Sequence, residues 1–241
     1  MQTSQKILIG SGVGVLALAA AAAIAGPMIY RDFIAPPAAE APSLSGDESM
    51  LEPLGAAIDP AVLVGDWRVA GGSEAGYRVD EVLNGTDVTV TGRTDEVTGT
   101  FTIGGDGLTL EAAELTVDVA SISTDSAQRD AYFRDQALRV SEYPTATFAL
   151  TEPVTLDEAP ASGDVVQAEA TGDLTIAGTT RSVTVDVQLR GTTADDGETT
   201  ADIAGSIPIS FADFGVEAPN LGFVQVEPEG FVEFQLTAQQ E

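Results

Sequence analysis

The chain has 241 residues, 38 acidic side chains against 10 basic ones, and a formal net charge of −28. A surface of that sign repels phosphate backbones and argues against any nucleic-acid-binding role. With neither cysteine nor histidine in the sequence, disulfides, thiolate nucleophiles, Ser-His-Asp and Cys-His catalysis and ordinary His-based metal sites are excluded.

Residues 7–30, ILIGSGVGVLALAAAAAIAGPMIY, carry no charge. As a helix this run would span about 36 Å, enough for a hydrocarbon core of about 30 Å. It reads as a transmembrane signal-anchor that leaves residues 1–6, with Lys6, in the cytoplasm and places the rest of the chain outside. The competing reading is a cleaved secretory signal with its cut after Ala23-Ile24-Ala25, which would leave the protein secreted.

Residues 31–62 are rich in Pro, Ala and acid (Pro36-Pro37, Glu40, Pro42, Asp47, Glu48, Pro53). Such a composition cannot bury a core, and the stretch is expected to be an extended or disordered tether. Met50, Leu51 and Leu54 form a short apolar interruption within it.

From residue 63 to 241 the apolar period changes to two. Val88 and Val90 alternate with threonines, Leu115, Val117 and Val119 with Thr116 and Asp118, and Val183, Val185 and Val187 with polar neighbours. Turn signals punctuate the runs: Asn84-Gly85, the Gly104 to Gly107 cluster, Ala177-Gly178, Asp195-Asp196-Gly197 and Glu229-Gly230. About ten strands, each with one apolar face, predict an all-β domain that hides a single sheet face. A sheet closed into a barrel satisfies this, and so does a two-sheet sandwich. Pro208 cannot donate a ladder hydrogen bond, so its strand is expected to be at an edge or bulged there.

The rhythm breaks once, over residues 121–150. A polar entrance (Ser123, Thr124, Asp125, Ser126) leads into a segment predicted to be helical over 128–139, which Tyr143-Pro144 then stops. Three of the eight arginines beyond residue 62, Arg129, Arg134 and Arg139, fall here. Arg129-Asp130 reads either as an ion pair that pins the segment or as a site for a polar headgroup. Phe133 and Leu138 read either as a seal over a barrel end or as a gate.

Several blocks now resemble one family in order and spacing. Trp67-x-Val69 with Tyr77-Arg78-Val79 is similar to its first strand and turn, and Gly99-Thr100-Phe101 to its next. Ser121-Ile122-Ser123-Thr124, Arg129-Asp130 and Tyr143-Pro144-Thr145-Ala146-Thr147-Phe148 resemble its most recognisable block. Residues 172–180, GDLTIAGTT, and Phe211-x-x-Phe214-Gly215-Val216 complete the series. Over about residues 65–237 the chain thus resembles the YceI-like family of lipid- or polyisoprenoid-binding, lipocalin-like barrels. Anchor, tether and barrel together are similar to its membrane-anchored actinobacterial type. One departure is that relatives often carry a histidine after the Arg-Asp pair, where this chain has Tyr132.

The resemblance implies an extended eight-stranded antiparallel barrel with a short helical insertion and an elongated apolar pore for a long isoprenoid or fatty chain. Alternation supplies the expected lining: Tyr77, Val79, Phe101, Ile103, Leu115, Val117, Phe148, Leu174, Ile176, Val185, Val187, Phe211 and Phe234. Arg129, Asp130, Phe133 and Leu138 would sit at the pore mouth. The expected partners are a long-chain isoprenoid or related lipid and, through the N-terminal helix, a membrane. No catalytic residue, metal ligand or cofactor is expected. The rival readings are a surface interaction module with a solid core and a carboxylate-dependent lipid-modifying enzyme.

Overall fold

The structure is a computed structural model that describes residues 38–44, 55–83, 85–194, 197–220, 222 and 224–241. The candidate membrane-spanning run at 7–30 lies outside the described residues, as do Met50, Leu51, Leu54, Asn84, Asp195 and Asp196. Among the described residues no helix is long and apolar enough to cross a membrane.

Among the described residues eleven strands form one antiparallel sheet: β1 Gly65–Val69, β2 Glu74–Leu83, β3 Thr86–Thr94, β4 Val97–Ile103, β5 Thr109–Asp118, β6 Thr145–Leu150, β7 Val154–Thr155, β8 Val165–Ile176, β9 Thr179–Thr193, β10 Thr199–Ser210 and β11 Val224–Gln240. They make eight staves. β1 and β2 are one stave broken at residues 70–73, since both pair with β11 in the same direction. β3 and β4 are likewise one stave, pairing with β2 and β1 respectively. The remaining staves follow in chain order through β5, β6, β8, β9, β10 and β11. Pairing of Trp67 with Gln240 and Val69 with Ala238 closes the ring. Closure decides between the two architectures that alternation allowed: the sheet is a barrel, with its apolar face turned inward.

The break in the first stave is held by one hydroxyl. Ser73 Oγ donates to Ala70 O at 2.8 Å and accepts from Thr237 N at 3.0 Å, so the buried bulge leaves no ladder group stranded. Pro208 sits where the ladder predicts. β10 pairs with β11 through Ser210, but its pairing with β9 stops at Ser206, so nothing on that side needs the missing N–H.

Two turn signals behave differently. Ala177-Gly178 is a two-residue hairpin turn with both residues at positive φ (49° and 77°). Glu229-Gly230, expected to be a turn, instead lies inside β11, where the register with β2 shifts between Val226 and Gly230. The glycine serves close approach here: a Cβ on Gly230 would lie 2.9 Å from the Phe211 ring.

The insertion is helical over nearly the span its sequence pattern predicts. Helix α1 covers Ala127–Tyr132, capped by Ser126, and passes into a π-helical turn over Phe133–Ala137. Arg139, the expected last residue of the segment, ends it by adopting a left-handed backbone (φ 51°), ahead of Tyr143-Pro144. Pro144 leads into β6, its carbonyl accepting from Val119 N at 3.0 Å.

The stretch assigned to the tether contributes two packed pieces. Residues 38–44 cross the outer wall as a strap. Ala39 O accepts from Arg78 Nη2 at 2.6 Å, and Leu44, only 3 % exposed, donates its N–H to Gln188 Oε1 at 2.7 Å. Beside the strap, Glu233 is buried on the outer face and takes Arg78 Nε at 2.7 Å together with Arg93 Nη2. The second piece, from residue 55, enters the site described next.

Candidate functional site

Two cavities lie end to end inside the barrel, of about 240 Å³ and about 180 Å³. Each is larger than the roughly 150 Å³ apolar cavity that suffices to take up benzene. They share Ala75, Val117, Ala146, Leu174 and Val232, which form a waist between them. Phe101, Ile103, Leu115, Phe148, Val185, Val187 and Phe234 line the first. Tyr77, Val79, Ile176 and Phe211 line the second, and Val117 and Leu174 line both. All thirteen positions assigned to the inner face by alternation therefore face this interior.

Three of the inner aromatic rings do not reach across the lumen. A Cβ on Gly92 would lie 2.4 Å from the Tyr77 ring, one on Gly172 2.4 Å from Phe148, and one on Gly205 2.4 Å from Phe234. Each ring folds down over a glycine of the neighbouring stave and becomes part of the wall. The bulk that would fill a solid core is thereby laid flat, and the axis is left open.

Both ends are stopped. At the loop end, Gly55 N donates to Ser162 O and Ile58 N to Pro160 O, both at 3.0 Å, and Ala57 bridges Ala161. This short ladder holds Ile58, 5 % exposed, in the first cavity beside Leu63. Trp67, also in that cavity, donates its indole N–H to Leu63 O at 2.9 Å. At the lid end, the insertion crosses the second cavity. Phe133 stacks on Tyr77 with ring centroids 4.7 Å apart, and Leu138 is buried with Val119 and Ile122.

The Arg129-Asp130 pair separates into two roles. Arg129 lines the second cavity, yet its guanidinium meets Glu81 Oε1 at 3.2 Å and Asp125 Oδ1 at 2.6 Å rather than Asp130. Burial works to lower its pKa, but the Glu81 charge and the Asp125 contacts outweigh burial and raise it above the ordinary value. Asp130 does not line the cavity. Its Oδ1 accepts from Thr124 N at 2.9 Å and Thr124 Oγ1 at 2.7 Å, which fixes the loop leading into α1. Adjacent helical residues diverge by roughly 100° around the axis, so the two side chains reach different carboxylate and loop partners and meet only at Thr124 Oγ1, which Arg129 Nη1 approaches at 3.4 Å. Burial pushes the Tyr77 phenol above its usual pKa, with the Arg129 charge opposing and Asp130, Glu81 and Asp125 adding to the shift.

A family model for the YceI-like domain matches residues 67–238. The chain belongs to the YceI-like family. Among solved structures, it is similar to one described as a polyisoprenoid binding domain from Saccharophagus degradans implicated in plant cell wall breakdown. That likeness is 18 % identical with a TM-score of 0.57, and covers 74 % of this chain and 99 % of that one. A Campylobacter jejuni YceI protein is 17 % identical with a TM-score of 0.51, over 62 % of this chain and 84 % of its own. No curated protein matches the sequence. At these identities the structural likeness establishes the fold.

Sequence reasoning missed several lining residues of this YceI-like barrel. Ala75, Ala146 and Ala170 lie at the same parity as Tyr77, Phe148 and Leu174, and parity alone would have found them. Alanine carries little apolar weight in an alternating pattern, yet its small size is what leaves room along the axis. Glu81 has the parity of Tyr77 and Val79, so an acid facing inward was equally legible. Arg129 at this mouth was legible too, but its pairing with Glu81, 48 residues away, was not.

Proposed function

We propose that this YceI-like chain is a non-catalytic binding protein that holds one long-chain lipid of the isoprenoid type along the barrel axis. The observation that carries the reading is the pair of contiguous apolar cavities with rings flattened over glycines, a shape made for a long, thin, apolar guest. An apolar chain gains about 0.8 kcal/mol for each CH₂ buried, so a tail filling both cavities needs few polar contacts to be retained. The related Saccharophagus degradans structure, described as polyisoprenoid binding, supports the same class of guest. We place the barrel on the outer side of a cytoplasmic membrane, tethered by the uncharged run at 7–30, within reach of lipid that it stores, sequesters or carries.

The test is direct. Full-length protein is produced in a cell that makes isoprenoids, purified, extracted with organic solvent and analysed by mass spectrometry. A long-chain lipid at near one equivalent is expected. Protein that purifies empty and takes up no polyprenyl probe overturns the reading. Fractionation of the producing cells tests the location: recovery in the soluble cytoplasmic fraction contradicts it.

A further inference from the structure

Among the described residues that line the two cavities, each cation is already paired with a carboxylate. At the lid end the second cavity is lined by one basic residue, Arg129, and by the acids Glu81 and Glu217. Both terminal nitrogens of Arg129 are already engaged, Nη2 by Glu81 and Nη1 by Asp125 and Thr124 Oγ1. Glu81 is 6 % exposed, so its charge reaches into the cavity with little screening by water. Asp125 and Asp130 also act on the Tyr77 hydroxyl electrostatically. At the loop end the first cavity includes Arg190, but its Nη2 and Nε turn to Asp202 Oδ2, at 2.8 and 3.3 Å, and its Nη1 to the strap carbonyl of Leu44.

We infer that the barrel selects lipids whose polar end is uncharged, such as an alcohol, a quinone or an amide, and rejects their phosphorylated forms at the Glu81–Arg129 mouth. A phosphate there would compete with two carboxylates already held by Arg129, and would face Glu81, Asp125 and Glu217 with one cation among them. A hydroxyl or carbonyl meets no such barrier. The Tyr77 hydroxyl, on the wall of the second cavity and unpartnered among the described residues, is placed to hydrogen-bond it. This inference rests on the tunnel reading and adds the headgroup to it.

The experiment uses full-length protein and three probes of one chain length: a polyprenol, its monophosphate and its diphosphate. Trp67, the single tryptophan and a residue of the first cavity, reports occupancy by fluorescence. The alcohol is expected to bind at least about tenfold more tightly than either phosphate, a step that one uncompensated like charge at contact range readily supplies. Glu81→Gln is expected to narrow the gap, and Asp125→Asn, at an exposed position, gives the same test should the buried change unfold the chain. Glu169→Gln, the same charge change on the outer wall of β8, is expected to leave the gap unaltered. Phosphates that bind as tightly as the alcohol overturn the headgroup inference and leave the tunnel standing. A gap that Glu169→Gln narrows as much as the mouth variants do overturns the assignment to this mouth. Failure of all three probes to bind overturns the tunnel reading, and the inference with it.

Discussion

The Phe234 ring rests on Gly205, the residue directly opposite it in the β10–β11 ladder, so closely that a Cβ there would sit 2.4 Å from Cζ. Gly205→Ala must lift the ring toward the axis. Lipid uptake should fall, and stability should drop by about 1–3 kcal/mol from the crowding. The double change Gly205→Ala with Phe234→Leu should restore uptake, because the smaller side chain again clears the axis. Lipid stoichiometry by mass spectrometry, together with denaturant midpoints, checks both. Uptake unchanged in the single variant would contradict the wall role of the ring.

At the waist, Val117 belongs to both cavities. Val117→Trp should divide the tunnel, abolishing uptake of a chain long enough to fill both halves, while a probe short enough for one half still binds. Since the new ring occupies space that is empty, the melting temperature should move by no more than a few degrees. A filled interior would instead unfold.

Tyr77 gives a pH signature. Burial raises the phenol pKa in the folded state above its ordinary value of about 10. The folded chain then keeps a proton that the unfolded chain has released. The associated stability is fully present below about pH 10 and is lost as pH rises through the folded value. Tyr77→Phe should move the onset of alkaline unfolding to higher pH and remove a late step from the tyrosinate absorbance titration. Identical alkaline profiles for parent and variant would count against the buried phenol.

Asp130→Ala removes the one oxygen, Oδ1, that accepts from both the N–H and the hydroxyl of the partly buried Thr124. A loss of about 1–3 kcal/mol is expected, with faster hydrogen exchange confined to residues 121–139. Arg129→Gln should act differently. It leaves Glu81 buried without its cation, and should cost binding of neutral probes less than it costs stability.

Ile58→Asp should unseat the loop-end stopper without disturbing the ring of eight staves, because the 55–58 ladder lies outside that ring. Release of a bound probe is expected to quicken by at least about tenfold, a carboxylate being costly in an apolar cavity. Unchanged release would show that the guest leaves by the lid end alone.

Most of the barrel was legible because a one-layer sheet must hide one face, and that requirement is written at every second residue. The inward set from Tyr77 to Phe234 follows from it, and Pro208 marks the place where one ladder side ends. What stayed hidden depends on partners far apart in the chain. The Glu229-Gly230 pair has turn chemistry, but in β11 the neighbouring Arg78 and Phe211 use it for a bulge. The π-helical turn over Phe133–Ala137 that continues α1 has no local sequence signature, although the end of the segment near Arg139 was legible. Leu44 and Ile58 were lost in an averaged composition of Pro, Ala and acid, where single apolar residues dominate the packing.

The strap has a mechanical consequence. The chain reaches the barrel on its flank, beside Arg78 and Thr91, and crosses to Gln188 and Arg190 before it arrives at the loop end. Tension applied through residue 38 therefore meets a clasp of separate hydrogen bonds, loaded one after another as in peeling, with the long ladders of the staves still unloaded behind it. In a force-extension measurement this clasp should open at low force and lengthen the tether reversibly. The ring itself, loaded in shear between Trp67 and Gln240, should yield only at a later and much larger force.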